Sequence, residues 1–297
     1  MKYTKPVLTY EQQAELLISR GLIADKSDLI NKLKEVNYSR LSSYLDPYFD
    51  LSTCKYKTGT DFKFVWENYT FDRRLRLVVL DAIERIEISI RAKLVYEFTN
   101  KYGAFGYLDK KKIPNIDNDR YNKWLSEIQN EASKSKEVFI QNFYKNYSLS
   151  KDLPIWILVE IMTFGKLLTF FRGVDDNIRK TIASCYNTND EVFKSWMLTL
   201  NTIRNICAHH SRLWDKILVT KPKIPRLKHD TNWSVPLQIK NTKIFCILTI
   251  LAYLIKIIAP QSKWKSRLLD LFNDYKNIPL YKLGFPKGWE NIDMWKN

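Results

Sequence analysis

At 297 residues the chain is long enough to bury a large core and fits one or two domains. It carries 48 Lys and Arg against 32 Asp and Glu, a net charge of +16, so anionic partners are expected, either nucleic acid or an anionic membrane surface. No apolar window reaches the roughly eighteen residues of a membrane span, and the start MKYTKPVLTYEQQ lacks the apolar stretch of a secretory signal. Four scattered cysteines with no CxxC pair suggest neither a metal site nor a disulfide framework. The expectation is therefore a cytoplasmic chain without metal, cofactor or membrane partner.

Sparse Gly and Pro with abundant Leu, Ile, Lys and Glu predict an all-α fold. Thr9-x-x-Gln12 is a capping box for a first helix that Gly21 can end. A second helix is expected near Ser27, and a third at Tyr38–Tyr44. Residues 1–55 thus read as a small helical lobe in front of a body covering 56–297. Val65, Tyr69, Leu75, Val79, Ala82, Ile86 and Ile90 recur at helical steps and predict one long helix over 61–100. On it, Arg73, Arg74 and Arg76 form either a candidate RNA-phosphate patch or an ordinary solvated face.

Residues 101–119, with two glycines and a lysine triplet, are the best candidate for a mobile loop. Helices are expected over 120–133 and 136–147, and Pro154 suits the first turn of another that runs to about Phe171. Glu160 sits among apolar neighbours there, which predicts a lobe interface or a buried arginine partner such as Arg204. Thr188-x-x-Glu191 is a second capping box, placed to start the next helix. After Asp215, a β-like run Ile217–Thr220 and several prolines predict a short basic flap. Its Lys221, Lys223, Arg226 and Lys228 are candidate RNA contacts, and a solubilising loop has the same composition. Ile244–Ile255 reads as a buried core helix, another helix covers about 262–276, and an aromatic tail holds Trp289 and Trp295.

The segment 196–214 concentrates the chemistry. It holds two of the three histidines, His209 and His210, and is free of Gly and Pro, so it is read as helix throughout. At about 100° per residue, Trp196, Ile203, Cys207, His210 and Trp214 share one side, which makes His210 a core histidine. Arg204 and His209 mark the edges of a polar face spanning roughly 140°, with Asn205 and Arg212 between them. A guanidinium grips two phosphate oxygens, and an imidazole titrating near neutrality can move a proton to or from a ribose oxygen. Asn205 could orient the imidazole or bind phosphate. A solvated polar face has the same composition, so the spacing alone leaves both readings open.

The run Arg204-Asn205-Ile206-Cys207-Ala208-His209-His210-Ser211-Arg212-Leu213-Trp214 resembles the signature of bacterial abortive-infection proteins of the AbiD/AbiF type, in the HEPN superfamily. Similar segments include Tyr38–Tyr44, Phe71–Arg76, Glu84–Glu87 with Arg91, and Pro154–Trp156 with Glu160 and Thr163–Gly165. The resemblance implies an all-α HEPN-like helical bundle and a metal-independent endoribonuclease acting against phage. Arg204, His209 and Asn205 would be catalytic, with His210, Arg212 and Glu160 as possible support. It further implies a homodimer in which two Arg/His motifs face one cleft. A single chain offers one suitable histidine on the polar face, whereas a symmetric pair offers two. RNA is the expected substrate, and a small inhibitory RNA is the expected restraint on a toxic enzyme. A non-catalytic RNA-binding module is the alternative. A nucleotidyl- or phosphotransferase is disfavoured by the lack of a P-loop or paired metal-binding aspartates.

Overall fold

The computed structural model describes residues 6–225 and 239–296. The chain opens with α1 (Tyr10–Ser19), α2 (Lys26–Glu35) and α3 (Tyr38–Leu45). The Thr9/Gln12 capping box forms as expected, and Asp25 caps α2 through the Asp28 N–H. A two-stranded antiparallel ribbon, β1 (Phe49–Asp50) and β2 (Lys55–Tyr56), then leads into the 41-residue α4 (Phe62–Tyr102). The first three helices share a small apolar core that also takes in Tyr56, Phe62 and Val65. The long helix therefore belongs to two cores, since its later turns bury Phe71, Leu75, Val79, Ile86 and Leu94 in the main one.

The body continues with α5 (Asn118–Lys134), α6 (Val138–Asn146), α7 (Ile155–Leu158), α8 (Phe164–Gly173), α9 (Asp176–Ser184), α10 (Asp190–Ala208), α11 (Ile244–Ile258) and α12 (Trp264–Asp274). Helices α9, α10, α11 and α12 pack around α4. Eleven of the residues in α11 are buried, which is the placement an apolar run closed by Lys243 and Lys256 demands. Among the described residues no helix is long and apolar enough to cross a membrane.

Three segments depart from expectation for identifiable reasons. The helix after Pro154 breaks, because Thr163 turns its side chain to cap α8 at the Lys166 N–H. Arg91 of α4 ties down the carbonyls at that break, donating to Val159 O and to Met162 O at 3.1 Å. The 101–119 stretch is not a free loop: Tyr107 and Ile113 are fully buried, and Asn115 bonds to the carbonyl of Val174 at 2.7 Å. Ile217–Thr220 forms no strand; among the described residues its backbone is tied by a hydrogen bond from the Leu218 N–H to Thr242 O at 2.9 Å. The flap is thus irregular chain over its described part.

Candidate functional site

Helix α10 starts at Asn189, whose side chain accepts the Val192 N–H at 3.0 Å, so the cap lies one residue beyond Thr188. Its buried face, from Val192 and Phe193 through Trp196, Leu200 and Ile203 to Cys207, fixes the helix in the core. Burial pushes the Cys207 thiol up to about 12, so it is no nucleophile at neutral pH.

The helix stops at Ala208, six residues short of the expected end. His210 takes a left-handed conformation with φ of 56°. The Ser211 N–H reaches back to Ile206 O at 2.9 Å and the His210 N–H to Cys207 O at 3.0 Å. Those two bonds make a Schellman end in which histidine occupies the place usually taken by glycine. A helical wheel has no meaning beyond that turn. His210 is accordingly exposed, alongside His209, rather than placed in the core. Among the described residues neither imidazole has a hydrogen-bond partner.

What holds the chain after this turn is Asp72 of α4, which is fully buried. It accepts the Tyr44 hydroxyl of α3 at 2.6 Å, the Trp214 N–H at 2.7 Å, the Leu213 N–H at 3.1 Å and the Arg76 guanidinium. Burial pulls the Asp72 carboxyl upward, and these four donors oppose that pull. One carboxylate thus ties the N-terminal lobe, α4 and the post-helix loop together. On the outer side Lys282 lies 4.9 Å from the ring centres of both Tyr48 and Trp214, close to Asp215.

Two depressions flank the end of α10. The first, about 550 Å³, lies between α3 and the loop. Asn37, Ser39, Arg40 and Ser43 line it from the lobe; His209, His210, Ser211, Arg212 and Lys216 line it from the loop. Among the described residues no carboxylate lines it. Arg40 donates to His210 O at 2.5 Å across the boundary. Arg212 is half-buried, with Nη1 enclosed and unpartnered among the described residues.

The second depression, about 620 Å³, lies along α4 and contains Arg204. Asp81, Glu84, Glu87 and Glu160 line it, with Arg91. Burial raises the Glu87 carboxyl, while Arg91 and then Arg204 draw it back. Glu160 is half-exposed and its cation is Arg91, at 3.9 Å, not Arg204. Asn205 is exposed and accepts only a long 3.4 Å bond from Arg204. Arg204 and His209 therefore line different depressions of one chain, separated by about 7.5 Å along the helix axis.

The other expected RNA contacts divide. Arg76 is buried against Asp72 and Tyr44 and is withdrawn from any RNA surface, which corrects its place in the patch. Arg74 is paired with Asp274 at 2.9 Å and lies over Tyr275; Arg73 is exposed. Lys223 pairs with Glu191 at 2.9 Å, and its backbone is held by Ser195 and Trp196 near the start of α10. That is about 21 Å along the helix from His209, so Lys223 and the neighbouring Lys221 stand away from the imidazoles. Arg226 and Lys228, with the third histidine His229, lie outside the described residues. Sequence reasoning passed over Lys216 and Asp72. Asp72, spaced four residues from Arg76 on a helix, was the readable signal for a buried pair.

Helical packing around α4, with a cationic two-histidine cleft at the end of α10, defines an all-α protein. The chain belongs to the Abi-like protein family, whose model matches residues 31–215, more than half its length. The matched segment contains α3, Asp72, α10 and the post-helix turn, so it covers the cleft up to Arg212. Membership suggests a role in abortive-infection defence. Neither a curated protein nor a solved structure matches the chain.

Proposed function

We propose that this protein is a metal-independent endoribonuclease that acts in the cytoplasm in abortive-infection defence. The observation that carries the reading is the pair of exposed imidazoles in one cationic cleft that, among the described residues, no carboxylate lines. His210 holds a strained left-handed backbone conformation there, a kind of strain that clusters at functional sites. His209 takes the proton of a ribose 2′-OH, whose oxygen attacks the adjacent phosphorus. The bond from phosphorus to the 5′-oxygen breaks, and His210 supplies the proton to that leaving oxygen. The products are a 2′,3′-cyclic phosphate and a 5′-hydroxyl.

Two histidines in one chain remove the need for a second chain to complete the proton transfers. Pairing is still proposed, for Arg204. A homodimer about this helix end brings the Arg204 of each copy to the imidazoles of the other, where it stabilises charge on the phosphorane. Leu77 and Ile88, exposed at 58% and 56% beside Arg204, supply apolar contact for such a face. A small RNA seated in the cleft would restrain the toxin until infection. The alternative, a non-catalytic RNA-binding module, is favoured by one observation: Arg204 and His209 do not share a depression within one chain.

The chemistry is tested with matched oligonucleotides. Unmodified RNA is cut in EDTA, whereas the same sequence with 2′-O-methyl groups throughout, or as DNA, stays intact. Cleavage of either modified strand would sink attack by the 2′-oxygen.

A further inference from the structure

We infer that the N-terminal lobe forms half of the RNA-binding cleft, with Arg40 of α3 and Lys216 of the loop gripping backbone phosphates from opposite walls. The inference rests on the ribonuclease reading for its ligand class and extends it to residues outside the Arg/His motif.

Charge sets the cleft apart. Several cations of the body are paired, such as Arg74 with Asp274, Lys223 with Glu191, Lys243 with Asp215 and Arg91 with Glu87, whereas those of the cleft gather without a carboxylate among the described residues that line it. Among the described residues Arg40, Arg212 and Lys216 have no carboxylate partner, and all three line the histidine cleft. Cations collected without counter-charges repel one another, and a polyanion relieves that repulsion. Arg40 also has donors to spare. Arg40 spends one N–H on the His210 carbonyl, and its guanidinium has five N–H groups in a planar fork suited to phosphate. The same contact fixes the guanidinium one residue from His209, so a phosphate bound there is carried to the imidazoles. Ser39 and Ser43 add hydroxyls on the same wall.

Size selects the form of the ligand. A depression of about 550 Å³ is of small-ligand scale and takes a nucleotide or two of a single strand, not a duplex. The strand runs along the seam between lobe and body, and the Asp72–Tyr44 bond keeps that seam at fixed width.

The test is fluorescence anisotropy with a labelled single-stranded RNA 12-mer in EDTA, on full-length protein. Arg40→Ala with Lys216→Ala weakens binding at least about tenfold and flattens the salt dependence by roughly one unit of log–log slope per lost phosphate contact. Lys216→Glu alone weakens it comparably; this side chain has no partner whose loss would disturb folding, so the result stands even if Arg40→Ala is unstable. Lys123→Ala with Lys180→Ala, removing two exposed charges elsewhere, leaves binding unchanged. Wild-type affinity in the cleft variants, or an equal loss in the control, overturns the inference. RNA bound through the cleft yet never cut would sink the ribonuclease reading alone. RNA cut normally by chains whose cleft variants bind as wild type would sink the cleft alone.

Discussion

Asp72→Ala is expected to destabilise the protein by about 3–5 kcal/mol, the cost of removing one partner from a buried ion pair. The substitution leaves the Arg76 guanidinium, 4% exposed, without its carboxylate, and frees the Tyr44 hydroxyl and two peptide N–H groups. Asp72→Asn keeps the volume but offers a single acceptor oxygen and aims an amide N–H₂ at other donors, so it is nearly as severe. An exposed pair such as Arg85–Asp81 contributes only about 0–1 kcal/mol by comparison. The measurement is urea unfolding followed by circular dichroism. A loss below about 1 kcal/mol would mean that Asp72 does not hold the lobe and the post-helix loop together.

Arg204→Ala and His209→Ala should each slow RNA cleavage by orders of magnitude as homodimers, yet a heterodimer of the two should cut at about half the wild-type rate. In the proposed pairing one of its two sites unites an intact Arg204 from one copy with an intact His209 from the other. The two variants carry different affinity tags, are co-expressed, and the doubly tagged species is assayed. If Arg204 instead served the imidazoles of its own chain, both sites of the heterodimer would be broken and no activity would return. That outcome would fit poorly with the separate depressions that Arg204 and His209 line.

The helices themselves were largely readable from local chemistry. Thr9 and Gln12 announced α1, the apolar repeat from Val65 to Ile90 announced α4, and the lysine-bounded run Ile244–Ile255 announced α11. The motif run pointed to the family that the Abi-like match establishes. The site was less legible, because its geometry depends on where one helix ends. A Schellman end is signalled by glycine, and here His210 occupies that position, so the periodic pattern carried the wheel past Ala208. The wheel then assigned His210 to the core when the turn exposes it.

Spacing also fails wherever a side chain's partner is distant in sequence. Arg76 looked like a surface cation, but Tyr44 of another helix completes its burial. Glu160 looked available to Arg204, but Arg91 reaches the same break in the chain and takes it. Lys223 lies fourteen residues after His209 in sequence, yet Ser195 and Glu191 draw it to the far end of α10. None of those tertiary partners leaves a periodic trace.

The most direct test of the account is incubation of the purified protein with a defined single-stranded RNA in EDTA, beside His209→Ala and His210→Ala, with analysis of the fragment ends. The wild type is expected to leave 2′,3′-cyclic phosphate and 5′-hydroxyl ends, with each variant slowed about 10²–10⁴-fold. Equal cleavage by wild type and both variants, or none by wild-type protein stripped of bound RNA, would contradict it.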